Sequence, residues 1–251
     1  MGEWSDFTLL LRKLGHDMRG PLNILISTSD MLAEGNYGPL TPKQERATAR
    51  LQRSSTRLLA ILDDFMTYIK ASASELPLNP QPFDPRAQLA LWCEPVREAS
   101  EAQGLAFHLT TTEGVPQTLQ GDETALRRTV QALLWNALAY TAQGEICVGS
   151  DWSPETGWHI SVRDSGAGIT EQDVPHIFEP FWRGEARPQL PTAGAGLGLP
   201  LALALARLMQ GDLLLKEAAP GCHFCLQVPL TSAAPMADSR QQADNPVHNQ
   251  P

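Results

Sequence analysis

The sequence predicts a helical hairpin followed by an α/β sandwich domain. Apolar residues recur at heptad spacing through two N-terminal segments, whereas the segments after residue 85 alternate between patterns typical of strands and of helices. A proline-rich stretch, LPLNPQPFDP, separates the two regions. These features divide the 251 residues into a hairpin at 1–75, a linker at 76–85, an α/β domain at 86–231 and a tail at 232–251. The tail is rich in Ala, Gln, Asn and Pro and has no aromatic residue, so we expect it to be disordered.

Two long helices account for the hairpin. The apolar residues that recur every seven positions are Leu11, Met18, Leu25 and Leu32 in the first segment and Leu51, Leu58 and Phe65 in the second. Between the segments, residues 34–44 contain the glycines and prolines of a reversal, and Thr41 and Gln44 can form a capping box. The helices should therefore be antiparallel. Because one hairpin leaves its apolar seam exposed, we expect a homodimer in which two copies form a four-helix bundle.

The α/β region has a regular order of predicted elements. Helices are expected at about 85–103, opened by Asp84 and Pro85, at about 122–141 and near 199–210. Strands are expected at 105–110, 145–151, 158–164, 212–217 and 222–228. This order predicts a mixed sheet that is covered by helices on one face. The CHFC sequence at 222–225 has metal-like spacing, but no second pair completes a zinc site, and alternation favours a core strand.

Composition excludes several classes of function. The net charge of -9 and the pI near 5.1 argue against a nucleic-acid partner, because no basic stripe stands out. No run of 18 apolar residues predicts a membrane span, and the N-terminus does not resemble a secretion signal. We therefore expect a cytoplasmic location.

The stretch GHDMRGPLN at 15–23 places His16 and Asp17 in a predicted helix that also contains Pro21. When Leu11 is taken as heptad position a, His16 falls at position f, which points away from the seam. An exposed imidazole can accept a phosphoryl group at Nε2 if Asp17 accepts the proton on Nδ1. Pro21 removes one backbone hydrogen bond and disturbs the turn that carries the histidine. A surface histidine followed by a helix-ending proline is the alternative interpretation.

Two glycine motifs and one asparagine suggest a nucleotide site. In RDSGAGI, Asp164 can accept a hydrogen bond from an amino group such as adenine N6, and Gly166 and Gly168 allow close backbone approach. In the second motif, Gly194, Gly196 and Gly198 precede a helix, a layout that binds phosphates. Asn136, beside the buried stripe of its helix, could coordinate Mg²⁺. A turn with a capping aspartate and an ordinary solvated amide are the alternatives for Asp164 and Asn136.

The segment between the two glycine motifs predicts a hinged lid. It begins with the aromatic residues Phe178, Phe181 and Trp182, which should pack against the domain. The part from Gly184 to Ala193 is small, polar and proline-containing, and we expect it to remain mobile until nucleotide closes it.

Taken together and in this order, HDMRGPLN, LLWNALAYT, DSGAG, IFEPFWRGE and GAGLGL resemble the H, N, G1, F and G2 boxes of bacterial two-component sensor histidine kinases. The resemblance covers roughly residues 8–230. It implies a HisKA-type phosphoacceptor hairpin, forming a four-helix bundle on dimerisation, and an ATP-binding α/β sandwich of the Bergerat type. It also implies that ATP phosphorylates His16 and that the phosphoryl group then passes to an aspartate of a response-regulator receiver domain.

The resemblance assigns roles to individual residues. It implies that Asp17 is the base or orienting partner of His16, that Asn136 is the Mg²⁺ ligand, and that Asp164 reads adenine. The remaining residues that it implies for ATP binding are Gly166, Gly168, Phe181, Arg183, Gly194, Gly196, Leu197 and Gly198. Because so few residues precede His16, the signal should come from an upstream sensory protein or domain.

Three positions depart from the family pattern. Gly20 stands where threonine or asparagine often positions water for dephosphorylation of the regulator, so we expect weak phosphatase activity. Ala132 replaces a common first asparagine, and Ala139 stands where a lysine or arginine often meets the phosphates. These departures leave open a degenerate dimeric module that binds nucleotide and signals without kinase activity. Chaperone, topoisomerase and mismatch-repair ATPases are a weaker alternative, because no glutamate lies within 132–140.

Overall fold

A computed structural model describes residues 2–184 and 194–232, with side chains described from residue 10 onward. The helices are α1 (Gly2–Ala33), α2 (Pro42–Ser72), α3 (Pro85–Ala102), α4 (Glu123–Tyr140) and α5 (Gly198–Leu208). The strands are β1 (Gln81–Phe83), β2 (Ala106–Thr111), β3 (Leu119–Gly121), β4 (Glu145–Ser153), β5 (Gly157–Asp164), β6 (Asp212–Glu217), β7 (His223–Val228) and β8 (Thr231–Ser232). None of the helices in this described part of the chain is both long and apolar enough to cross a lipid bilayer.

Helices α1 and α2 form the predicted antiparallel hairpin. Arg19 donates hydrogen bonds to Asp63, and Gln52 near the start of α2 donates to Asp30 near the end of α1. The two helices therefore run in opposite directions. Helix α1 continues through Pro21. The capping box at the start of α2 is present, because Thr41 and Gln44 accept each other's backbone N–H groups.

The side of α1 that packs on α2 differs from the predicted seam. The buried residues recur every seven positions at Gly15, Leu22 and Ser29, while Met18 and Leu25 stay exposed. Glycine makes room for Met66 at the first of these positions, because a Cβ on Gly15 would require that side chain to move. Met18 and Leu25 therefore mark a second, exposed face of α1, whereas Leu11 of the same heptad pattern packs against the cluster of Leu22, Leu62, Met66 and Ile69 between the two helices.

Short polar side chains open the helices α3 and α4 of the α/β domain, and the sequence predicts the first of these caps. Asp84 accepts from the backbone N–H groups of Arg86 and Ala87, with Pro85 in the first turn of α3. Asp122 accepts from the N–H of Ala125 at the start of α4. These caps fix the ends of the two helices that precede the central strands.

The main sheet is mixed and has the strand order β2-β4-β5-β7-β6. Strands β2 and β4 are parallel, and the other neighbours are antiparallel. Alternate residues of β4, β5 and β7 are buried, so one face of the sheet supports the helices. The predicted core face of the last strand is confirmed, since Cys222, Phe224, Leu226 and Val228 are all buried.

A second, small sheet changes the predicted domain boundaries. Strand β1 lies inside the segment predicted as a linker and pairs antiparallel with β3, and β3 pairs in turn with β8. Phe83 of β1 is buried against Trp92 and Trp158. Residues 81–83 therefore belong to the α/β domain. Ser232, predicted as the first residue of the tail, lies in β8, and the rest of that tail falls outside the described residues.

Candidate functional site

A cavity of about 590 Å³ lies between α4, α5, the turn after β5 and helix α2. It is large enough for a small organic ligand. The residues predicted to bind nucleotide that line it are Asn136, Asp164, Gly168, Arg183, Gly194, Gly196, Leu197 and Gly198. The structure thus brings together side chains and backbone from motifs up to 62 positions apart in the sequence.

Asp164 ends β5 and is almost completely buried, with 5% of its surface exposed. Its Oδ1 accepts hydrogen bonds from the backbone N–H of Gly166 at 2.9 Å and of Cys222 at 3.3 Å. Burial raises the pKa of Asp164, although these two bonds act in the opposite direction. Within the described residues Oδ2 accepts no hydrogen bond, so it can accept one from a ligand in the cavity.

The two glycine motifs bring backbone to the cavity. Gly168 and Gly196 both have φ of +76°, a conformation that favours glycine. A Cβ on Gly196 would lie 2.6 Å from the carbonyl oxygen of Trp182, so a larger residue could not pack there. Helix α5 begins directly after this glycine, and its first residues line the cavity without a side-chain cap. Its free N–H groups form a site suited to phosphate.

Asn136 lies on the cavity wall two turns after Arg128 on α4. Its side chain is half-buried and forms no hydrogen bond with the described part of the chain. An amide oxygen in this position is available as a hard oxygen ligand, which suits Mg²⁺. Ala132 and Ala139 line the same wall, so the positions where the family often has a polar or cationic group are apolar here.

Two predicted nucleotide residues are not part of the cavity wall. Gly166 lies behind Asp164 and orients its carboxylate, and a Cβ there would collide with the carbonyl oxygen of Tyr140. Phe181, predicted to pack against the domain, has a side chain that is 53% exposed, and its ring lies 5.4 Å from that of Phe65 in α2. Trp182 does pack against the core. Most of the predicted lid, residues 185–193, is outside the described ranges.

His16 lies on the solvent face of α1, as the heptad position predicts. Its side chain is 86% exposed, and Nδ1 lies 3.4 Å from Oδ1 of Asp17. Arg19, one turn later, binds Oδ1 of Asp63 through Nε at 3.0 Å and Nη2 at 2.8 Å. The histidine is not among the described residues that line the cavity.

One wall of the cavity consists of residues that the sequence does not predict as part of the site. Helix α2 contributes Arg57, Ala60, Ile61 and Asp64 to it. Arg128 of α4 joins the two regions, because Nη2 lies 3.1 Å from Oδ1 of Asp64 and Nη1 donates to Oγ1 of Thr67 at 2.8 Å. Arg128 is eight positions before Asn136 and therefore on a similar face of the helix, which is the one sequence signal that points to it.

Comparison with known families matches both regions of the chain. Residues 8–74 match the His Kinase A (phospho-acceptor) domain. Residues 121–232 match the histidine kinase-, DNA gyrase B- and HSP90-like ATPase domain. The first match contains His16, and the second contains every residue predicted to bind nucleotide.

Individual proteins show the same likeness. Sensor protein TorS of Escherichia coli K12 is 30% identical over 93% of this chain and 25% of its own length. The aerobic respiration control sensor protein ArcB of the same strain is 28% identical over 96% of this chain and 31% of its own. The chain thus spans about a quarter to a third of these relatives.

Solved structures share the fold. Full-length ShkA in complex with AMPPNP has a TM-score of 0.78 and 25% identity, covering 90% of this chain and 46% of ShkA. The Acinetobacter baumannii histidine kinase AdeS has a TM-score of 0.60 over 85% of this chain and 96% of its own, and at 20% identity it supports the fold alone. With a phosphoacceptor hairpin, a Bergerat-type α/β domain and both family matches in the expected order, the chain belongs to the two-component sensor histidine kinases.

Proposed function

We propose that this chain is a histidine kinase core that transfers the γ-phosphoryl group of ATP to Nε2 of His16. The P–O bond to the β-phosphate breaks, an N–P bond forms, and ADP leaves. The phosphoryl group then passes to an aspartate of a response-regulator receiver domain. The observation that carries this proposal is that an exposed histidine beside a carboxylate and a cavity with nucleotide-binding features occur together in one chain.

Asp17 determines which nitrogen of His16 reacts. Its carboxylate lies beside Nδ1 and can accept a hydrogen bond from Nδ1–H, which keeps the proton of the neutral ring on Nδ1 and leaves Nε2 unprotonated. Both side chains are well exposed, so Nε2 can be reached by a phosphate held on another domain. Asp17 therefore orients the nucleophile and stabilises the positive charge that forms on the ring.

The residues of the cavity favour one orientation of bound ATP. The free Oδ2 of Asp164 suits the adenine amino group, while the backbone near Gly196 and the start of α5 suit the phosphates. Asn136 would hold Mg²⁺, which would neutralise part of the phosphate charge. The protein itself contributes mainly positioning and fixed dipoles, as expected for phosphoryl transfer.

A homodimer explains the apolar face that α1 and α2 leave exposed. Leu14, Leu25 and Leu58 are large apolar residues with exposed fractions of 53%, 44% and 44%. They follow the heptad pattern of the sequence, so a second hairpin can cover them and form a four-helix bundle. The match to the phosphoacceptor family supports the same assembly.

Labelling with γ-³²P-ATP and Mg²⁺ tests the proposed reaction. The chain should acquire label that is lost in acid and retained in alkali, and His16→Gln should abolish it. His108→Gln is the matched control, because that histidine is also exposed but lies on strand β2. A labelled chain should then lose label to a purified receiver domain. Nucleotide binding without any label on His16 would instead support a signalling module that lacks kinase activity.

A further inference from the structure

Four residues of α4 define a direction along the cavity. Tyr140, Asn136, Ala132 and Arg128 are spaced four positions apart, and all line it. Tyr140 lies at the Asp164 end, next to Gly166. Ala132 lies beside the second glycine motif, since a Cβ on Gly198 would be 3.9 Å from that of Ala132. The order from the adenine end outward is therefore Tyr140, Asn136, Ala132, Arg128.

Arg128 lies at the outer end of this line, where the cavity meets the hairpin. Along the helix axis it is about 12 Å from Asn136. Its side chain is 32% exposed, and its bonds to Asp64 and Thr67 fix the guanidinium against α2. A guanidinium carries five N–H donors, so these two bonds leave donors for a phosphate.

If the cavity binds a nucleotide, it needs a positively charged side chain for the phosphates in addition to the neutral Asn136. Ala139 has no charge to offer, and the cations on the described part of the wall are Arg57, Arg128 and Arg183. Arg57 extends from the hairpin, and Arg183 lies beside the undescribed segment 185–193. Of these three cations, Arg128 is the one on α4, the helix that also carries Asn136.

We propose that Arg128 binds the terminal phosphate of the nucleotide. This inference rests on the proposed function of the cavity as a nucleotide site. The terminal phosphate is the group that distinguishes ATP from ADP, so Arg128 makes the site prefer the triphosphate. Its contacts with α2 place that phosphate at the hairpin end of the cavity, towards the hairpin that carries His16 on α1.

Equilibrium binding of a non-hydrolysable ATP analogue and of ADP to the full chain, each with Mg²⁺, tests this role. Arg128→Gln should weaken binding of the triphosphate about tenfold or more and change ADP binding much less, because one charge-assisted contact is lost. Arg128→Lys should retain part of the preference. Arg127→Gln is the matched control: the neighbouring arginine is exposed and does not line the cavity, so both affinities should stay unchanged.

The ratio of the two affinities decides the outcome. An unchanged ratio in Arg128→Gln overturns the inference, whether both affinities fall or neither does. A changed ratio in Arg183→Gln with none in Arg128→Gln overturns it too, because the phosphate would then belong to the other arginine. If Arg128→Gln does not fold, Arg128→Lys must still weaken the triphosphate more than ADP. Labelling of His16 with an unchanged ratio refutes this inference alone, whereas a wild-type chain that binds neither nucleotide refutes the proposed function as well.

Discussion

Phe83→Ala should destabilise the α/β domain strongly, although the sequence pattern places Phe83 in a linker. The ring is 4% exposed, and its centroid lies 5.8 Å from that of Trp158 and 6.4 Å from that of Trp92. Truncation of a buried phenylalanine costs about 3–5 kcal/mol, from lost burial and from the cavity that remains. The free energy of unfolding of a typical domain is about 5–15 kcal/mol, so this loss is a large fraction of the total stability.

Thermal or urea unfolding followed by tryptophan fluorescence measures this effect, because Trp92 and Trp158 lie in the affected cluster. For a chain of this size the expected fall in Tm is roughly 6–20 °C. Gln81→Ala is the control, since Gln81 is an exposed residue of the same strand and its change should stay within about 0.5 kcal/mol. A loss below about 1 kcal/mol for Phe83→Ala would show that residues 81–83 are a separable linker after all.

Three further predictions concern the site, the thiols and the dimer. Asp164→Asn should weaken adenine nucleotide binding about tenfold or more, because the amide would face the adenine amino group. The same substitution should also raise Tm at pH 7, because burial raises the pKa of Asp164 and its ionised form therefore destabilises the folded state. This gain in Tm should vanish as the pH falls below the usual pKa of 3.8, where the carboxyl group is protonated in both the folded and the unfolded state. Burial raises the pKa of Cys222 to about 12, so iodoacetamide at pH 8 should modify the less buried Cys147 first, and equal rates would refute this. Leu25→Arg should convert the dimer to a monomer in sedimentation at micromolar concentration; an intact dimer, or equal dissociation in the exposed control Asn23→Arg, would contradict the seam.

Local signals predicted the long elements of the fold correctly. Capping residues such as Thr41 and Asp84 act on backbone within three positions, so their effect is visible in a short stretch of sequence. The strands of the small sheet have only two or three residues, which is too short for any periodicity, and they depend on partners far along the chain. That is why the sequence pattern predicts a linker where the structure has a buried strand.

The hairpin shows a different limit. Large apolar residues at heptad positions were predicted to form a seam, but the face that packs on α2 contains Gly15 and Ser29, which have little hydrophobic signal. Small residues allow two helices to approach closely, and periodicity of hydrophobicity does not detect them. The apolar pattern therefore combines two faces: Leu11 and Phe65 pack within the hairpin, whereas Leu25 and Leu58 are exposed and available to a second copy.

For the candidate site, sequence predicted the groups whose chemistry is encoded in motifs. Asp164 and Gly196 have the burial and the backbone conformation that their motifs require. The side chains that act across the boundary between the hairpin and the α/β domain were not predictable in this way. Arg128 and Asp64 are 64 positions apart, and only the packing of α2 on the α/β domain, chiefly on α5, makes them neighbours.

His16, the proposed acceptor, and the outer end of the cavity lie at a similar level of the hairpin but on different faces. Arg19, one turn after His16, binds Asp63, and Arg128 at the end of the cavity binds the adjacent Asp64. The offset along the helix axes is therefore small, yet His16 faces solvent. We infer that transfer within one chain requires the α/β domain to turn around the bundle, with little sliding along it. Because Arg128 joins the domain to α2, that motion has to break its bonds to Asp64 and Thr67. In the proposed dimer, the histidine of the partner subunit is the other candidate acceptor at this level. A mixed dimer of His16→Gln and Asn136→Ala subunits separates the two routes, because label can then form only between subunits.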